Sequence, residues 1–448
     1  MYKKTFRGGV HPEDGKSLAR DVPFRACPPG EELVFPLNQH IGKPAKPAVQ
    51  KGERVLMGQM IGLADGFISA NIASSVSGTV KAVENRRNVF GVPALSVVIE
   101  NDGEEAPAPG VGMEIDPADL TKEEILEAVR KAGVAGMGGA GFPTHVKLAP
   151  KNADEIEFVL VNGAECEPYI TCDDQLMRHY SGEIATGLEI MLALFPKAQG
   201  VVLIEENKPE AIAAMTAACK GKERMRVHAV HTKYPQGGER SVISVVTGRH
   251  IKLGMLPADA GCVVENVGTV RAIYRAVCKS EPLMERGFTV SGDGVRSPCN
   301  LFVKTGTLFS EVLKAAGGFP EGITPEKFIC GGPMMGIALA SLETGVCKNN
   351  NALTVFRRDP VALAEEQQTA CLRCGRCNQV CSLGLTPQIM AAAVERKDFD
   401  RFEKKLYGME CIACGSCTYI CPAKRPLMQL FKQAKAEVAA AKRKGATA

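Results

Sequence analysis

Tryptophan is absent from this 448-residue sequence, and aromatic residues make up only 5% of it. No apolar run approaches the about 18 residues that a membrane-spanning helix needs. The first residues, Met1 to Lys4, lead into no apolar segment that would form the core of a signal peptide. We therefore expect a soluble chain that is made in the cytoplasm and can still dock on a membrane partner.

A strong excess of charge of either sign is also missing. The 54 Lys and Arg residues nearly balance the 50 Asp and Glu residues, which leaves a net charge of +4. Such a small excess does not indicate nucleic acid as a partner. The length predicts three or four domains, and 45% of the residues are hydrophobic and available to fill their cores.

Cysteine, in contrast, is abundant, and eight of the 17 cysteines form two copies of one motif near the end of the chain. The first copy reads C-L-R-C-G-R-C-N-Q-V-C, and the second reads C-I-A-C-G-S-C-T-Y-I-C. This spacing is typical of 4Fe–4S ligands, and in two-cluster ferredoxins the fourth cysteine of each motif ligates the other cluster. The predicted ligand sets are Cys371, Cys374, Cys377 and Cys421 for one cluster, and Cys411, Cys414, Cys417 and Cys381 for the other.

The alternative is a pair of structural zinc sites, because four thiolates in a tetrahedron also suit zinc. Zinc sites usually pair two short C-x2-C units and do not need a third cysteine at the same step. We therefore predict two 4Fe–4S clusters that relay electrons. The other nine cysteines are scattered and are expected to be reduced core thiols, with Cys166 as a packing residue.

Residues 1–118 are expected to form a β-rich domain, because short apolar runs alternate with Gly, Pro and Asn. The rhythm of residues 49–83 is similar to that of the lipoyl and biotinyl barrel-sandwich modules. Those modules carry their cofactor on a lysine at a hairpin tip, where this sequence has Ser69-Ala70-Asn71. The prediction is a docking or structural module without a covalently bound carrier group.

Residues 119–283 are predicted to form an α/β domain, and a glycine-rich loop follows its first helix. The loop G-M-G-G-A-G-F-P-T-H-V-K contains Gly136, Gly138, Gly139 and Gly141 and ends at Lys147. Glycines let backbone N–H groups approach a phosphate or a flat ring closely, and a lysine neutralises phosphate charge. The loop matches neither a Walker A loop nor the dinucleotide-binding G-x-G-x-x-G motif. Two interpretations therefore stay open, a nucleotide-binding loop and a plain turn.

Strands and helices then alternate in a βαβαβ order, which predicts a Rossmann-like parallel sheet. Ligands bind at the carboxyl ends of such strands, where this sequence has Asn162, Glu165 and Glu167. Asn266 occupies a predicted strand-to-helix turn. Glu239 follows two glycines and is a candidate for binding a ribose or a nicotinamide, although an isolated acid is more often a surface residue.

The rest of the sequence predicts two further domains and a C-terminal tail. Residues 284–345 are predicted to form a compact β-grasp module of the SLBB type around one helix. Residues 359–432 are predicted to form an α-helical two-cluster ferredoxin domain, because the segment between the cysteine motifs has helical periodicity. Residues 433–448 form a basic tail, expected to be a solvated helix or one that lies near an acidic partner or lipid headgroups.

Several of these motifs resemble a known family. G-M-G-G-A-G-F-P-T-H-V-K, V-N-G-A-E-C-E-P, Y-P-Q-G-G-E-R and E-N-V-G-T are similar to the NADH-oxidising flavoprotein subunit of respiratory complex I over residues 121–280. With the double cysteine motif and the opening T-F-R-G-G-V-H-P-E-D-G-K, nearly the whole chain resembles the RnfC subunit of the Rnf ion-translocating ferredoxin:NAD oxidoreductase. The sequence departs from the complex I pattern at Met137, Ala164 and Gly238, where an arginine and two acids are usual.

The resemblance implies that the chain exchanges hydride between NAD(H) and FMN, and single electrons with two 4Fe–4S clusters. The implied FMN residues are Gly136, Gly138, Gly139, Gly141, Lys147, Asn162, Glu165 and Asn266, and the implied NADH-side residues are Phe142, Glu167 and Glu239. Phe142 would stack on the nucleotide. The implied partners are integral and peripheral Rnf subunits, with ferredoxin reached through them. The implied location is the cytoplasmic side of the cell membrane, as a peripheral protein.

Two other functions stay open at this stage. One is a soluble flavin/iron–sulfur reductase similar to the cobalamin reductases of diol-degrading pathways, which resemble this chain from the glycine loop onward. The other is a non-enzymatic electron-transfer adaptor with a degenerate flavin site, suggested by Met137 and Ala164. Co-purification with integral membrane subunits would distinguish the Rnf function from the soluble reductase.

Overall fold

The structure is a computed structural model that describes residues 4–446. Residues 1–3 of the expected N-terminal domain and residues 447–448 of the expected basic tail lie outside the described residues. Between residues 4 and 446, no helix is both long enough and apolar enough to cross a membrane. The architecture is mixed α/β.

The N-terminal part is a sandwich of two antiparallel sheets. Its strands are β1 (Arg25–Ala26), β2 (Glu32–Pro36), β3 (Lys46–Pro47), β4 (Arg54–Val55), β5 (Met60–Leu63), β6 (Ile72–Ala73), β7 (Gly78–Arg87) and β8 (Pro93–Asn101). The strand orders are β2-β8-β7-β4 and β3-β5-β6, and β1 pairs elsewhere. At the start of β7, Gly78 and Val80 are buried whereas Thr79 and Lys81 are exposed, as expected for a strand with one face on a core.

The second part is a parallel sheet with helices on both faces. Its strands are β9 (Phe158–Gly163), β10 (Gln199–Glu205), β11 (Met225–Val230) and β12 (Cys262–Asn266). Its helices are α1 (Lys122–Lys131), α2 (Thr144–Lys147), α3 (Cys172–His179), α4 (Ser181–Leu194), α5 (Pro209–Cys219), α6 (Glu239–Thr247) and α7 (Val267–Cys278). The strand order is β11-β10-β9-β12, and every pairing is parallel.

The sequence of β9 shows why this sheet is covered on both sides. Val159 and Val161 pack in one apolar cluster, and Leu160 between them packs in another. A strand buried on both faces therefore reads as a continuous apolar run. Helix α1 begins with a capping box, in which Thr121 and Glu124 each accept the other's backbone N–H, so the predicted start of this helix is confirmed.

The third part is a mixed six-stranded sheet with one helix. Its elements are β13 (Glu285–Ser291), β14 (Cys299–Lys304), α8 (Phe309–Ala315), β15 (Lys327–Cys330), β16 (Ile337–Ala338) and β17 (Ala352–Phe356). The strand order is β1-β14-β13-β17-β15-β16. The predicted limit of this module was residue 345, but strand β17 lies beyond it and pairs with β13 and β15 inside the sheet. These pairings are non-local, so the sequence pattern did not reveal them.

In residues 359–446 the structure contains helices and no strand. The α-helices are α9 (Pro360–Glu366), α10 (Arg376–Val380), α11 (Pro387–Glu395), α12 (Ser416–Tyr419) and α13 (Leu427–Ala446), with one π-helical turn at Arg401–Lys405. Met390, Phe402 and Phe431 form the centre of their apolar core. The expected basic tail is, as far as residue 446, the continuation of α13.

Lys348 joins three of these parts. Its buried ammonium group donates to the carbonyl of Gly133 at 2.6 Å and to that of Asn71. Its own carbonyl accepts from buried Arg286 at 2.6 Å. Burial lowers the pKa of Lys348 to about 7, and the partners of its side-chain nitrogen are these two neutral carbonyls.

The replacement Lys348→Met is therefore expected to destabilise the chain. It leaves the carbonyls of Asn71 and Gly133 buried without donors, at a cost of about 1–3 kcal/mol for each unpaired group. Thermal unfolding of the purified protein should show a lower midpoint. Lys314→Met, at an exposed position on α8, is the matched control and should shift the midpoint little. Equal midpoints for the two variants would contradict this role.

Candidate functional site

A cleft of about 440 Å³ lies at the carboxyl ends of β9 and β12. The glycine loop between α1 and α2 lines this cleft, and so do Leu256 and Pro257. Nine of the eleven sequence-predicted flavin and nucleotide residues line this cleft: Gly136, Gly138, Gly139, Gly141, Phe142, Lys147, Asn162, Glu239 and Asn266. The volume falls within the range of small-molecule sites, about 300–1,000 Å³.

The glycine loop is shaped by close contacts on one side and open space on the other. A Cβ on Gly138 would lie 2.9 Å from the Cβ of Asn266, whereas a Cβ on Gly139 would meet nothing within 4 Å. Gly141 has a φ of +71°, which disfavours any residue with a side chain. The loop therefore keeps a bare backbone face toward the cleft, which suits the close approach of a phosphate or a ring.

Met137, where the complex I pattern has an arginine, does not line the cleft. Its side chain is buried in the core of the α/β domain, and its N–H donates to Thr269 Oγ1 at 3.0 Å. At this position the arginine of the complex I pattern is thus replaced by a buried methionine, and its backbone N–H holds the glycine loop against α7.

Lys147 supplies the cation of the cleft. Its Nζ donates to the carbonyl of Val264 at 2.5 Å and lies 3.1 Å from Glu239 Oε1 and 3.9 Å from Glu265 Oε1. Burial acts to lower the pKa of Lys147, but the two carboxylates raise it above its usual value, so the group stays protonated. An anionic ligand must therefore compete with two resident carboxylates for this cation.

Glu265 is a site residue that the sequence reasoning missed. It is only 3% exposed, and its Oε1 atom has no hydrogen-bond partner. Burial raises the pKa of this carboxyl group to about 7, although Lys147 acts in the opposite direction. The signal was present in the sequence, because Glu265 directly precedes Asn266 at the carboxyl end of β12.

Asn162 and Asn266 are brought side by side by strand register, since they are partners in the β9–β12 ladder. Asn162 Nδ2 donates to the carbonyl of Gly237 at 2.8 Å. Asn266 Oδ1 caps α7 by accepting from the N–H of Gly268 at 2.8 Å, and its Nδ2 donates to Asp173 Oδ2 at 2.6 Å. Both amides are thus fixed in orientation at the base of the cleft.

Glu165 and Glu167, the other two predicted residues, are not among the lining residues of the cleft. The carboxylate of Glu165 accepts from the N–H groups of Asp173 at 2.6 Å and Asp174 at 3.3 Å, and so caps α3. Glu165 has a φ of +46°, so the backbone turns its side chain toward α3 and away from the cleft. Glu167 Oε1 accepts from the N–H groups of Met334 at 2.6 Å and Met335 at 3.0 Å, which joins the loop after β9 to the six-stranded sheet.

The eight motif cysteines surround two cavities in the helical part. One cavity is lined by Cys371, Cys374, Cys377 and Cys421, and the other by Cys381, Cys411, Cys414 and Cys417. These sets are the two that the spacing predicts with the fourth cysteine crossing over. Backbone N–H groups donate to Cys371 Sγ at 3.4 Å, Cys381 Sγ at 3.3 Å and Cys411 Sγ at 3.4 Å, contacts that stabilise thiolates.

Sulfur spacing distinguishes a cluster from a single metal ion. Four sulfurs at about 2.3 Å from one zinc ion would lie about 3.8 Å from each other. Within the described residues, no three of these eight sulfur atoms lie within 4.8 Å of one another. The two cavities therefore suit a larger iron–sulfur unit better than a tetrahedral zinc ion.

The cavity around Cys414 adjoins the α/β domain. Tyr234 donates its hydroxyl proton to the carbonyl of Cys414 at 2.7 Å, and Arg240 on α6 lies 2.5 Å from Glu410. In the other cavity, Cys371 and Cys374 are exposed to solvent. One cysteine set thus faces the cleft domain, and the other faces outward.

Fold and site together define the class: a flavoprotein-type α/β domain that is joined to a barrel sandwich and to a cysteine-rich domain. Residues 129–275 match the family described as the Nuo51 FMN-binding domain, residues 4–104 the RnfC barrel sandwich hybrid domain, and residues 288–338 the SLBB domain. The expected barrel sandwich, FMN-binding domain and SLBB module are thereby confirmed.

The chain belongs to the RnfC family, whose members are subunits of ion-translocating ferredoxin:NAD(+) oxidoreductase complexes. It is 40% identical over 98% of its length to the RnfC-type protein of the proton-translocating complex of Clostridium ljungdahlii, and covers 95% of that protein. It is 39% identical over 98% of its length to the RnfC-type protein of the Na(+)-translocating complex of Acetobacterium woodii, and covers 98% of it. The RnfC-type protein of Rhodobacter capsulatus is 40% identical over 97% of this chain, which covers 83% of that protein.

Solved structures give a similar fold at lower identity. The air-oxidised NAD+-reducing [NiFe]-hydrogenase superposes with a TM-score of 0.51 at 23% identity, covering 66% of this chain and 55% of that one. Its H2-reduced state gives a TM-score of 0.50 at 21% identity, covering 74% and 68%. This likeness supports the mixed α/β fold alone.

The residues of the cleft fit FMN in most respects. The bare face at Gly139 and the protonated Lys147 suit the phosphate, and Ile41, Phe142 and Val146 supply apolar surface for the ring. Because FMN carries a phosphate dianion, its binding favours the neutral form of Glu265 beside Lys147.

FMN affinity of the apoprotein is therefore expected to fall as pH rises through about 7. Glu265→Gln removes the ionisation and should bind FMN about tenfold more tightly than the wild type at about pH 8, which corresponds to about 1.4 kcal/mol. Quenching of FMN fluorescence measures the FMN affinity of the wild type and of Glu265→Gln at each pH. Titration of the FMN phosphate itself affects the wild type and the variant alike. Glu123→Gln on the exposed face of α1 is the control; parallel pH profiles for wild type and Glu265→Gln would contradict this role.

Proposed function

We propose that this chain is the subunit of an ion-translocating ferredoxin:NAD oxidoreductase that carries both the NAD(H)/FMN chemistry and two 4Fe–4S clusters. The observation that supports this most strongly is the succession of sites within one chain. A cleft with a glycine loop and a lysine is followed by one cysteine-lined cavity against the same domain, and then by a second that opens to solvent.

FMN bound in the cleft supplies the conversion between a hydride, which carries two electrons, and single electrons. Its phosphate end would be held by the backbone face of Gly138 and Gly139 and by the ammonium group of Lys147. Asn162 and Asn266, fixed by their hydrogen bonds, offer amides at the base of the ring site. Phe142 lines the cleft and would contact the nucleotide, and the carboxylate of Glu239 would be the polar group on the NAD(H) side.

The two acids after β9 have a different part in this proposal from the one that the resemblance implies. Glu165 and Glu167 act through the backbone: the first fixes α3, whose Asp173 orients Asn266, and the second fixes the loop of the six-stranded sheet. Because neither of them lines the cleft, their proposed role is to position the site.

Residues 359–432 form the proposed two-cluster ferredoxin-like domain. The proposed limits of the preceding domains are 1–118, 119–283 and 284–345, and the six-stranded sheet of the third domain also includes β1 and β17. The set Cys411, Cys414, Cys417 and Cys381 holds the cluster nearer to the cleft, because Cys414 contacts Tyr234 of the α/β domain. The set Cys371, Cys374, Cys377 and Cys421 holds the outer cluster.

The proposed partners are the other subunits of the complex, and ferredoxin is reached through them. The chain itself would lie on the cytoplasmic side of the membrane as a peripheral subunit. The match of residues 4–104 to the RnfC barrel sandwich favours this function over a soluble cobalamin reductase-like enzyme, which resembles the chain only from the glycine loop onward.

Anaerobically purified protein is expected to contain about eight iron atoms and about eight acid-labile sulfides, as two cubane clusters require. Cys374→Ser should lower the iron content by about half, since it removes one ligand of the outer cluster. Cys347→Ser is the control, because this buried thiol belongs to neither cavity. Zinc in place of iron, or an unchanged iron content in Cys374→Ser, would refute the assignment.

Lys147→Ala is expected to weaken FMN binding by about 10- to 100-fold, because a hydrogen bond to a charged group contributes about 1.5–3 kcal/mol. The iron content should stay at the wild-type level, since Lys147 contacts neither cavity. Flavin released by heating and iron measured on the same sample give both quantities. Lys151→Ala, an exposed lysine outside the cleft lining, is the control and should retain FMN.

A further inference from the structure

A second large concavity, of about 840 Å³, lies beside the outer cysteine set. It is lined by the segment that leads into the first motif, by α11 and by the turn that follows α11. Cys371 belongs to both this groove and the cavity of the outer set. The groove therefore reaches a ligand of the outer cluster directly.

Positive charge dominates this surface, which we call the arginine groove. Its arginines are Arg373, Arg396, Arg401 and Arg425, against the two acids Glu395 and Asp398. Arg425 is paired with Glu395. Among residues 4–446, no carboxylate lies within 4.0 Å of the side-chain nitrogens of the other three arginines, and all three are exposed. These three charges are available to an external partner.

The cysteines of the outer set are also accessible to an external partner. Of the eight motif cysteines, only Cys371 and Cys374 are exposed, and Leu372 between them is 63% exposed. An apolar side chain at the edge of a charged groove is a common arrangement at protein interfaces, where a small apolar centre is surrounded by polar contacts. The opposite set is covered by Tyr234 and its neighbours.

We propose that the arginine groove is the docking site of an acidic one-electron carrier protein or domain, whose carboxylates face Arg373, Arg396 and Arg401. The proposal rests on the proposed function and names the surface through which the outer cluster exchanges electrons. In each encounter one electron passes between the outer cluster and the carrier's own centre. One is oxidised as the other is reduced, and no bond is made or broken.

Opposite charges on two partners speed their encounter by factors of about 10–1,000 at low ionic strength, and salt screens this effect. The groove is concave and its free cations surround a cluster ligand. This arrangement matches a protein that must bring a redox centre close to Cys371. A flat anionic lipid surface could not enter it as far.

The test uses the full chain with its clusters and FMN. A small acidic ferredoxin is the probe and stands in for the carrier domain of a partner subunit, so a wild-type chain that it cannot reduce would also overturn the proposal. The rate of NAD+ reduction by reduced ferredoxin is measured against ionic strength. Arg396→Glu/Arg401→Glu changes the groove and leaves Arg373, whose N–H donates to Cys371 Sγ. Lys51→Glu/Lys220→Glu, two exposed lysines of other domains, is the control with the same change in net charge.

The groove variant is expected to lower the second-order rate constant at low salt by about tenfold and to flatten its salt dependence. The control should stay within about twofold of the wild type. NADH-dependent reduction of flavin, and the iron content, should be unchanged in both variants. Failure of flavin reduction in the wild type would instead refute the proposed function.

Equal rates and equal salt dependence for the groove variant and the control would overturn the docking proposal while leaving the function intact. Binding to vesicles that contain phosphatidylglycerol is measured in parallel. Loss of vesicle binding in the groove variant, with ferredoxin kinetics unchanged, would assign the groove to the membrane surface and also overturn the proposal.

Discussion

The structure depends on one small contact that holds the cysteine-rich helical domain against the α/β domain. Val10, Tyr234 and Met334 form a buried apolar patch against Cys414 and Ile420, and the Tyr234 hydroxyl closes it by donating to the Cys414 carbonyl at 2.7 Å. The N–H of Gly9 also donates to the carbonyl of Val380 at 2.8 Å, so the N-terminal segment is fixed in the same place. Because electron exchange requires the two sites to keep a fixed separation, this contact determines whether the cleft and the inner cysteine set work as one unit.

The cleft combines charges that offset each other. Lys147 is the only ammonium group among its lining residues within 4–446, and Glu239 and Glu265 flank it. Burial favours the neutral form of Glu265 and thereby leaves Lys147 available to an anion near neutral pH. Glu239, whose Oε1 atom lies 3.1 Å from the Lys147 ammonium group, acts to raise the pKa of Lys147 and so to keep it protonated without a ligand. The buried Lys348, which has only carbonyl partners, is the contrasting case.

Local patterns predicted much of this molecule. The capping box at Thr121 follows from a spacing of three residues, the parallel sheet from the alternation of strands and helices, and the crossed cysteine sets from the two-cluster ferredoxin pattern. The structure has the capping box and the sheet, and the cysteines of each predicted set line one cavity. Non-local strand pairing could not be predicted from local patterns: β17 joins the six-stranded sheet by pairing with β13, which is far away in sequence. Side-chain direction was also hidden, since Glu165 follows a strand end as a ligand would, yet a positive φ turns it to α3. Glu265 was overlooked because its burial depends on tertiary packing, in which α6 contacts β12.

The central claim is that hydride chemistry in the cleft and single electrons in the cysteine sets are coupled through FMN held by Lys147. The most direct measurement reduces the clusters of the full chain with dithionite, removes the excess, and mixes the protein with NAD+ in a stopped-flow spectrometer. With FMN bound, cluster absorbance should recover as NADH forms, one NADH for every two electrons and one proton taken up. Lys147→Ala protein depleted of FMN should form no NADH until FMN is added back. NADH formation at the same rate without flavin, or reoxidised clusters without NADH, would contradict the account.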